Sequence, residues 1–379
     1  MKITHSSTIH GLILTAALST GLGFVSPVSA QQHHAFIVDS NGKGLTDLGS
    51  LGGGSSFATG INDAGQVVGE SATAGGQFHA FITGPNGVGM TDLGTLGGGS
   101  SLATGINDAG QVVGWYATTG RHFHAFITGP NGVGMTDLGS LGGGYSEATG
   151  INDAGQVVGV SNVVGSPESH AFITGPNGVG MTDLGHLGGD LSVAYGINDA
   201  GQVAGYSTTA EGGYHAFITG PNGVGMTDLG TLGGGSSEAT GINDAGQVVG
   251  RSDTAAGYQH AFITGPNGVG MTDLGTLGGG SSAEATGIND AGQVVGSSTT
   301  AGGSFHANAF ITGPNGVGMT DLNSLVSLPD GVVLTGATGI NEMGQVAVMG
   351  GLIPEPETYA MLLAGLGLLG FIVRRRQTA

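Results

Sequence analysis

The chain contains no cysteine and a single tryptophan, and only 9% of its 379 residues are charged. No disulfide can staple it, so its stability rests on packing and hydrogen bonds. Basic residues are scarcest, with seven Lys and Arg against 26 Asp and Glu. Four of the seven lie at the ends: Lys2, Arg374, Arg375 and Arg376. Between residues 31 and 353, 24 acids face only Lys43, Arg121 and Arg251, a balance of −21. Such a body repels phosphate backbones, which excludes nucleic acid as a partner.

Glycine is abundant, at 82 residues, but it has no three-residue period, so the chain is not collagen-like. Disordered chains are usually richer in charge and poorer in Val, Ile and Leu. Here glycines sit between short apolar runs, as in all-β repeat proteins. The string "HAFITGPNGVGMTDLG" occupies 79–94 and returns letter for letter at 124–139, 170–185, 215–230 and 260–275. "GIN" recurs with its isoleucine at Ile61, Ile106, Ile151, Ile197, Ile242, Ile288 and Ile340. Seven units of about 45 residues therefore fill the body of the chain.

Each unit holds four short strand candidates. "HAFIT" and "GMTDL" flank "GPNG"; "ATGI" and "QVVG" flank "NDAG". Both connectors carry hairpin turn chemistry. Two hairpins make a four-stranded antiparallel sheet, and strands apolar on both faces call for cover on both sides. The expected fold is all-β, a seven-bladed β-propeller of four-stranded blades over residues 31–350. A β-solenoid is the alternative; it needs parallel coils rather than two tight hairpins per unit. If blades are framed as GIN, GQVVG, HAF, DLG, six are continuous and the seventh joins both chain ends, leaving no free sheet edge.

The ends read as addresses. Residues 1–30 combine Lys2, an apolar stretch from Leu12 to Val25, Pro27 and the small residues Val28, Ser29 and Ala30. This is the layout of a secretory signal peptide, with cleavage by signal peptidase between Ala30 and Gln31. At the other end, Pro354, Glu355 and Pro356 precede an apolar run from Tyr359 to Val373, which Arg374, Arg375 and Arg376 close. As a helix, fifteen residues reach about 22 Å, marginal for a membrane span. The arginines stay cytoplasmic by the positive-inside rule. Residues 351–379 resemble the PEP-CTERM sorting signal, which has this three-part order. The resemblance implies recognition by exosortase, processing near Pro354, and a destination at the surface or in the exopolysaccharide or biofilm matrix of a Gram-negative bacterium. Contact with the membrane is then transient, through the C-terminal helix alone.

The unit itself, through "HAF", "DLGTLGG", "GIN" and "GQVVG", resembles the HAF family of extracellular repeats, a family defined by its repeat rather than by a reaction. Near-identical units offer little of the asymmetry that an active site needs. The repeated His79 and Asp92 face each other within one hairpin and read as a structural hydrogen bond rather than a metal site, since metal ligands must converge on one point. The single acid of each "NDAG", such as Asp63 or Asp108, reads as a turn residue rather than a calcium ligand. No phosphate loop or catalytic spacing joins the singular residues Trp115, Arg121, His122, His186 and Asp190. No enzyme activity, metal or cofactor is expected, although a lyase or glycosidase acting on extracellular polysaccharide is the alternative. Binding of exopolysaccharide or another envelope component is expected on the face carrying the variable connections, at Trp115, Tyr116, Arg121, Tyr206, Tyr214, Arg251 and Tyr258.

Overall fold

A computed structural model of the chain describes residues 33–39, 44–120, 122–165, 168–301 and 307–352. The expected signal peptide with its Ala30–Gln31 junction, the tail with Pro354, Glu355, Pro356 and the three arginines, and Arg121 lie outside the described residues. Within them the first strands are β1 (His33–Asp39), β2 (Gly44–Asp47), β3 (Gly52–Ile61), β4 (Val67–Thr73), β5 (Phe78–Thr83) and β6 (Met90–Gly94). β3 to β6 form blade 1, and the same four-strand order repeats in blades 2 to 6, over 101–139, 142–183, 188–228, 233–275 and 283–321. Blade 7 has the order β2–β1, then Gln345–Leu352, then Val332–Ile340. The fold is thus a seven-bladed propeller of four-stranded antiparallel blades, closed by pairing the N-terminal hairpin with the C-terminal one. The closing strand runs two residues past 350, through Gly351 and Leu352, because both continue the ladder with β1 or Val332–Ile340.

The turns follow from their letters. Gly65 donates its N–H to Asn62 O at 2.9 Å and takes φ +70°, while the Asn62 N–H bonds Gln66 O at 3.1 Å. In "GPNG", Asn86 and Gly87 both have positive φ, 54° and 74°, which is the Asn-Gly hairpin geometry. Gly87 is required twice over: a Cβ there would meet Leu48 Cδ2 of blade 7 at 2.5 Å and Ile37 Cδ1 at 2.9 Å.

The core lies between blades. Phe81, Phe126, Phe172, Phe217, Phe262 and Phe310 are all 0% exposed. Phe81 packs with Val67 and Ala58 against Ile37 and Leu48 of blade 7, and the same layer recurs around the ring. Burying each Phe is worth about 1.5–3 kcal/mol.

Hydrogen bonds tie the same interfaces. The Ser101 hydroxyl accepts from Ala80 N of blade 1 at 2.9 Å and donates to Gly94 O at 2.6 Å. Thr59 Oγ1 donates to Ala103 O of blade 2 at 2.8 Å. Asn62 Nδ2 donates to Asn107 O at 3.0 Å and to Gln66 Oε1 at 2.9 Å. At the seam, Asn341 Nδ2 reaches Asn62 O at 3.0 Å, so blade 7 joins blade 1 as any blade joins the next.

Removing residues 33–47 takes β1 and β2 from blade 7 and strips one side of the closing strand. Thermal unfolding of this truncation should show the whole ring melting at a lower temperature. An unchanged melting temperature would mean that closure does not hold the ring together.

Candidate binding face and channel

Strand direction alternates, so both hairpin turns of each blade emerge on one face, here the top. They touch there: Gly87 N donates to Gly65 O at 3.0 Å. The remaining connections form the bottom. The top is nearly uniform, including exposed tip valines such as Val88 at 73% and Val224 at 73%.

The innermost strand of each blade lines a central channel. At its top mouth stand Asp63, Asp108, Asp153, Asp199, Asp244, Asp290 and Glu342 around a cavity of ≈ 230 Å³. Each carboxylate accepts the backbone N–H of its counterpart in the adjoining blade at 2.7–3.0 Å. The acid of "NDAG" is therefore more than a turn residue; it links blades. Glu342 is raised above the usual carboxylate range, chiefly by burial and also by Asp290, Asp63 and Asp244, against the lowering effect of its backbone hydrogen bond. Among the described residues, no group of three His, Asp or Glu is placed to hold a metal ion. Below this mouth the channel is lined by rings of isoleucine and glycine such as Ile61 and Gly60.

The repeated His and Asp pair within each hairpin: His79 Nδ1 lies 2.9 Å from Asp92 Oδ2, and Asp92 Oδ1 also accepts from Gly94 N at 2.7 Å. In blade 6 Asn308 replaces the histidine and donates to Asp321 at 2.7 Å. These bonds pin the outer strand of each blade to its neighbour, as expected of a structural pair.

The structure separates the residues expected on the variable face. Trp115 is half-buried, with its ring centroid 4.7 Å from that of Phe123 at 74°. Tyr214 and Tyr258 are exposed, at 43% and 53%. Tyr206 is half-buried between Tyr195 and Tyr214, at centroid distances of 6.0 and 5.7 Å. Tyr116 is a correction: it is only 5% exposed and packs with Val68 and Ile82 of blade 1. Adjacent residues on a strand point to opposite faces, so Trp115 and Tyr116 cannot both serve one contact surface. Burial, the Asp137 charge and a hydrogen bond to Asp137 push the Tyr116 phenol up to about 12. Tyr116 replaces the serine that other blades use to anchor the preceding loop, as Ser71 Oγ does for Leu51 N at 2.9 Å.

Arg251 is not a free cation. Its Nε and Nη2 donate to Glu238 Oε2 at 3.0 and 2.6 Å, and its Nη1 lies 3.6 Å from Glu284 of blade 6. Burial works against the charge, yet Glu284 and Glu238 raise the guanidinium on balance. Burial lifts Glu284 above the usual carboxylate range, with Arg251 opposing. Tyr195, Glu238 and Glu284, absent from the sequence-based set, join this cluster. Tyr195 had a readable signal: residues 194–198 spell "AYGIN", where the other six units spell "ATGIN". His186 packs edge-on against His170 at 5.5 Å and accepts from Gly188 N at 3.1 Å, a local role.

Residues 352–376 match the PEP-CTERM protein-sorting motif. The motif marks an exported protein that is held transiently in the membrane and processed by exosortase. No curated protein sequence matches the chain. Among solved structures, the chain is similar to the β-propeller domain of the trilobed protease from Pyrococcus furiosus, at 9% identity over 76% of this chain and 87% of that one, with a TM-score of 0.51. It is also similar to a puromycin hydrolase, at 12% identity over 76% of this chain and 50% of that one, TM-score 0.50. A putative TolB from Agrobacterium tumefaciens aligns over 86% of this chain and 100% of that one at 10% identity, TM-score 0.48. At these identities the likeness is one of fold.

The innermost strand of blade 3, Gly142–Ile151, also yields a pH test. Burial raises Glu147 above the usual carboxylate range, and its hydrogen bond with Tyr145 only partly opposes this. A carboxyl raised in the folded state favours folding at acid pH and loses that contribution as pH climbs through its folded value. Glu147→Gln should therefore melt at a higher temperature than the parent at pH 7, with the gap closing at about pH 3–4. A gap of equal size at both pH values would refute the assignment.

Proposed function

We propose that this chain is a non-catalytic repeat protein of the HAF type, sorted by exosortase to the cell surface or exopolysaccharide matrix of a Gram-negative bacterium. There it binds an extracellular polysaccharide through its bottom face. The reading is carried by one pairing: a PEP-CTERM motif at 352–376 on a ring whose top is uniform and whose bottom differs from blade to blade. Rigid scaffolds commonly place recognition on their variable connections. The signal peptide at 1–30 and cleavage near Pro354 complete the route.

A second reading, a propeller enzyme acting on extracellular polysaccharide, draws on Glu147 and Glu284. Burial raises both carboxyls, on channel-lining strands of blades 3 and 6. A general acid for glycoside cleavage needs such a raised carboxyl. The test is to recover the protein from the matrix of its host. Mass spectrometry should find Gln31 at the N-terminus and no peptide containing Arg374, and the protein should sediment with matrix polysaccharide without shortening it. Release of intact tail would overturn the sorting route. Depolymerisation that Glu147→Gln abolishes would favour the enzyme.

A further inference from the structure

Blade 4 departs from the repeat in a coordinated way. Five of the other blades use the Thr59 position to bridge to the next blade, as Thr59 does to Ala103 O and Thr240 to Ala285 O, both at 2.8 Å. Blade 4 has Tyr195 there, whose phenol cannot reproduce that short bridge. The strand opposite carries Ala204, where five blades have valine and blade 7 has Ala347. Tyr195, Tyr206 and Tyr214 then descend diagonally across three adjacent strands, from the innermost strand to the exposed Tyr214. Giving up a repeated structural bond for an aromatic ring is the kind of local violation that functional sites show.

The polar side of the track is equally singular. Arg251 is the only Lys or Arg among the described residues, and it spans Glu238 of its own blade and Glu284 of the next. Tyr195 and Tyr206 both lie within electrostatic reach of Glu238 and Arg251. Half-exposed tyrosines offer apolar ring surface with a wet hydroxyl at the tip, which suits the mixed faces of a pyranose. The guanidinium keeps donors beyond those given to Glu238, and carboxylates accept from hydroxyl groups. Charge selects among saccharides: two glutamates outnumber one arginine here, on a body of strongly negative balance, so a uronate or sulfated chain is repelled.

From this geometry we infer that the Tyr195–Tyr206–Tyr214 track, with Glu238, Arg251 and Glu284 beside it, is a binding site for an uncharged saccharide chain. This rests on the polysaccharide-binding reading and gives it a location and a ligand class.

The test uses the exported, processed protein on an array of neutral and acidic oligosaccharides. The key variant is Tyr195→Thr combined with Ala204→Val, which restores the blade pattern and should melt at or above the parent's temperature. A second is Phe78→Ala, which removes the aromatic ring at the Tyr214 position of blade 1. The parent should bind neutral saccharides at least about tenfold more tightly than acidic ones, a difference of about 1.4 kcal/mol. The double variant should lose at least that factor, and Phe78→Ala should keep it. A preference for acidic saccharides, or undiminished binding by the double variant, overturns this site. Binding lost only in Phe78→Ala does the same while leaving the broader reading standing. No saccharide binding by the parent overturns both.

Discussion

Everything in this ring depends on one interface repeated around a circle. Each blade must meet the next at one seventh of a full turn, and an error at one interface would be multiplied seven times. The side-chain amide of Asn62 and its counterparts enforce the angle near the axis, where each donates to the backbone of the adjoining blade. Such bonds are nearly fully buried, and a buried donor left unpaired costs about 1–3 kcal/mol. Farther out, the Ser56 and Ser101 hydroxyls and the phenylalanine layer hold the wedge open by a fixed amount. The letter-for-letter repetition is the sequence form of that geometric demand.

The fold was legible because its signals are local and periodic. Asn-Gly and "NDAG" declare hairpins, two hairpins give four strands, and seven copies with complementary ends give a closed ring. The His79–Asp92 pair was legible too, since both residues lie in one hairpin. The carboxylate ring was not. Asp63 looks like a turn residue, and only the packing of blade on blade brings it beside its counterpart 45 residues on. Tyr116 misled for a different reason. Its loop-adjacent position marks it as surface, but strand alternation turns it inward toward blade 1. Arg251 appeared as an isolated cation because its partners Glu238 and Glu284 are 13 and 33 positions away and meet it only through strand pairing and blade packing.

The two faces have different freedoms. A change on the top face disturbs the turn contacts and interface bonds that every blade shares, so the top stays uniform. The lower ends of the second and third strands touch fewer repeated partners, and there glutamate, tryptophan, valine, tyrosine, arginine and serine occupy equivalent places: Glu70, Trp115, Val160, Tyr206, Arg251 and Ser297. A scaffold of this kind can alter its contact surface one blade at a time.

The seam has a mechanical side. The strand Gln345–Leu352, at whose end the sorting motif begins, is not an edge strand; it pairs with His33–Asp39 on one side and Val332–Ile340 on the other. Tension applied through the tail along that strand would load two hydrogen-bond ladders in parallel, so they yield together or not at all. Had the same tail left from the outermost strand of a blade, the bonds could have been peeled in succession, each with little force. The closure that completes the circle also makes the point of attachment its best-clamped strand.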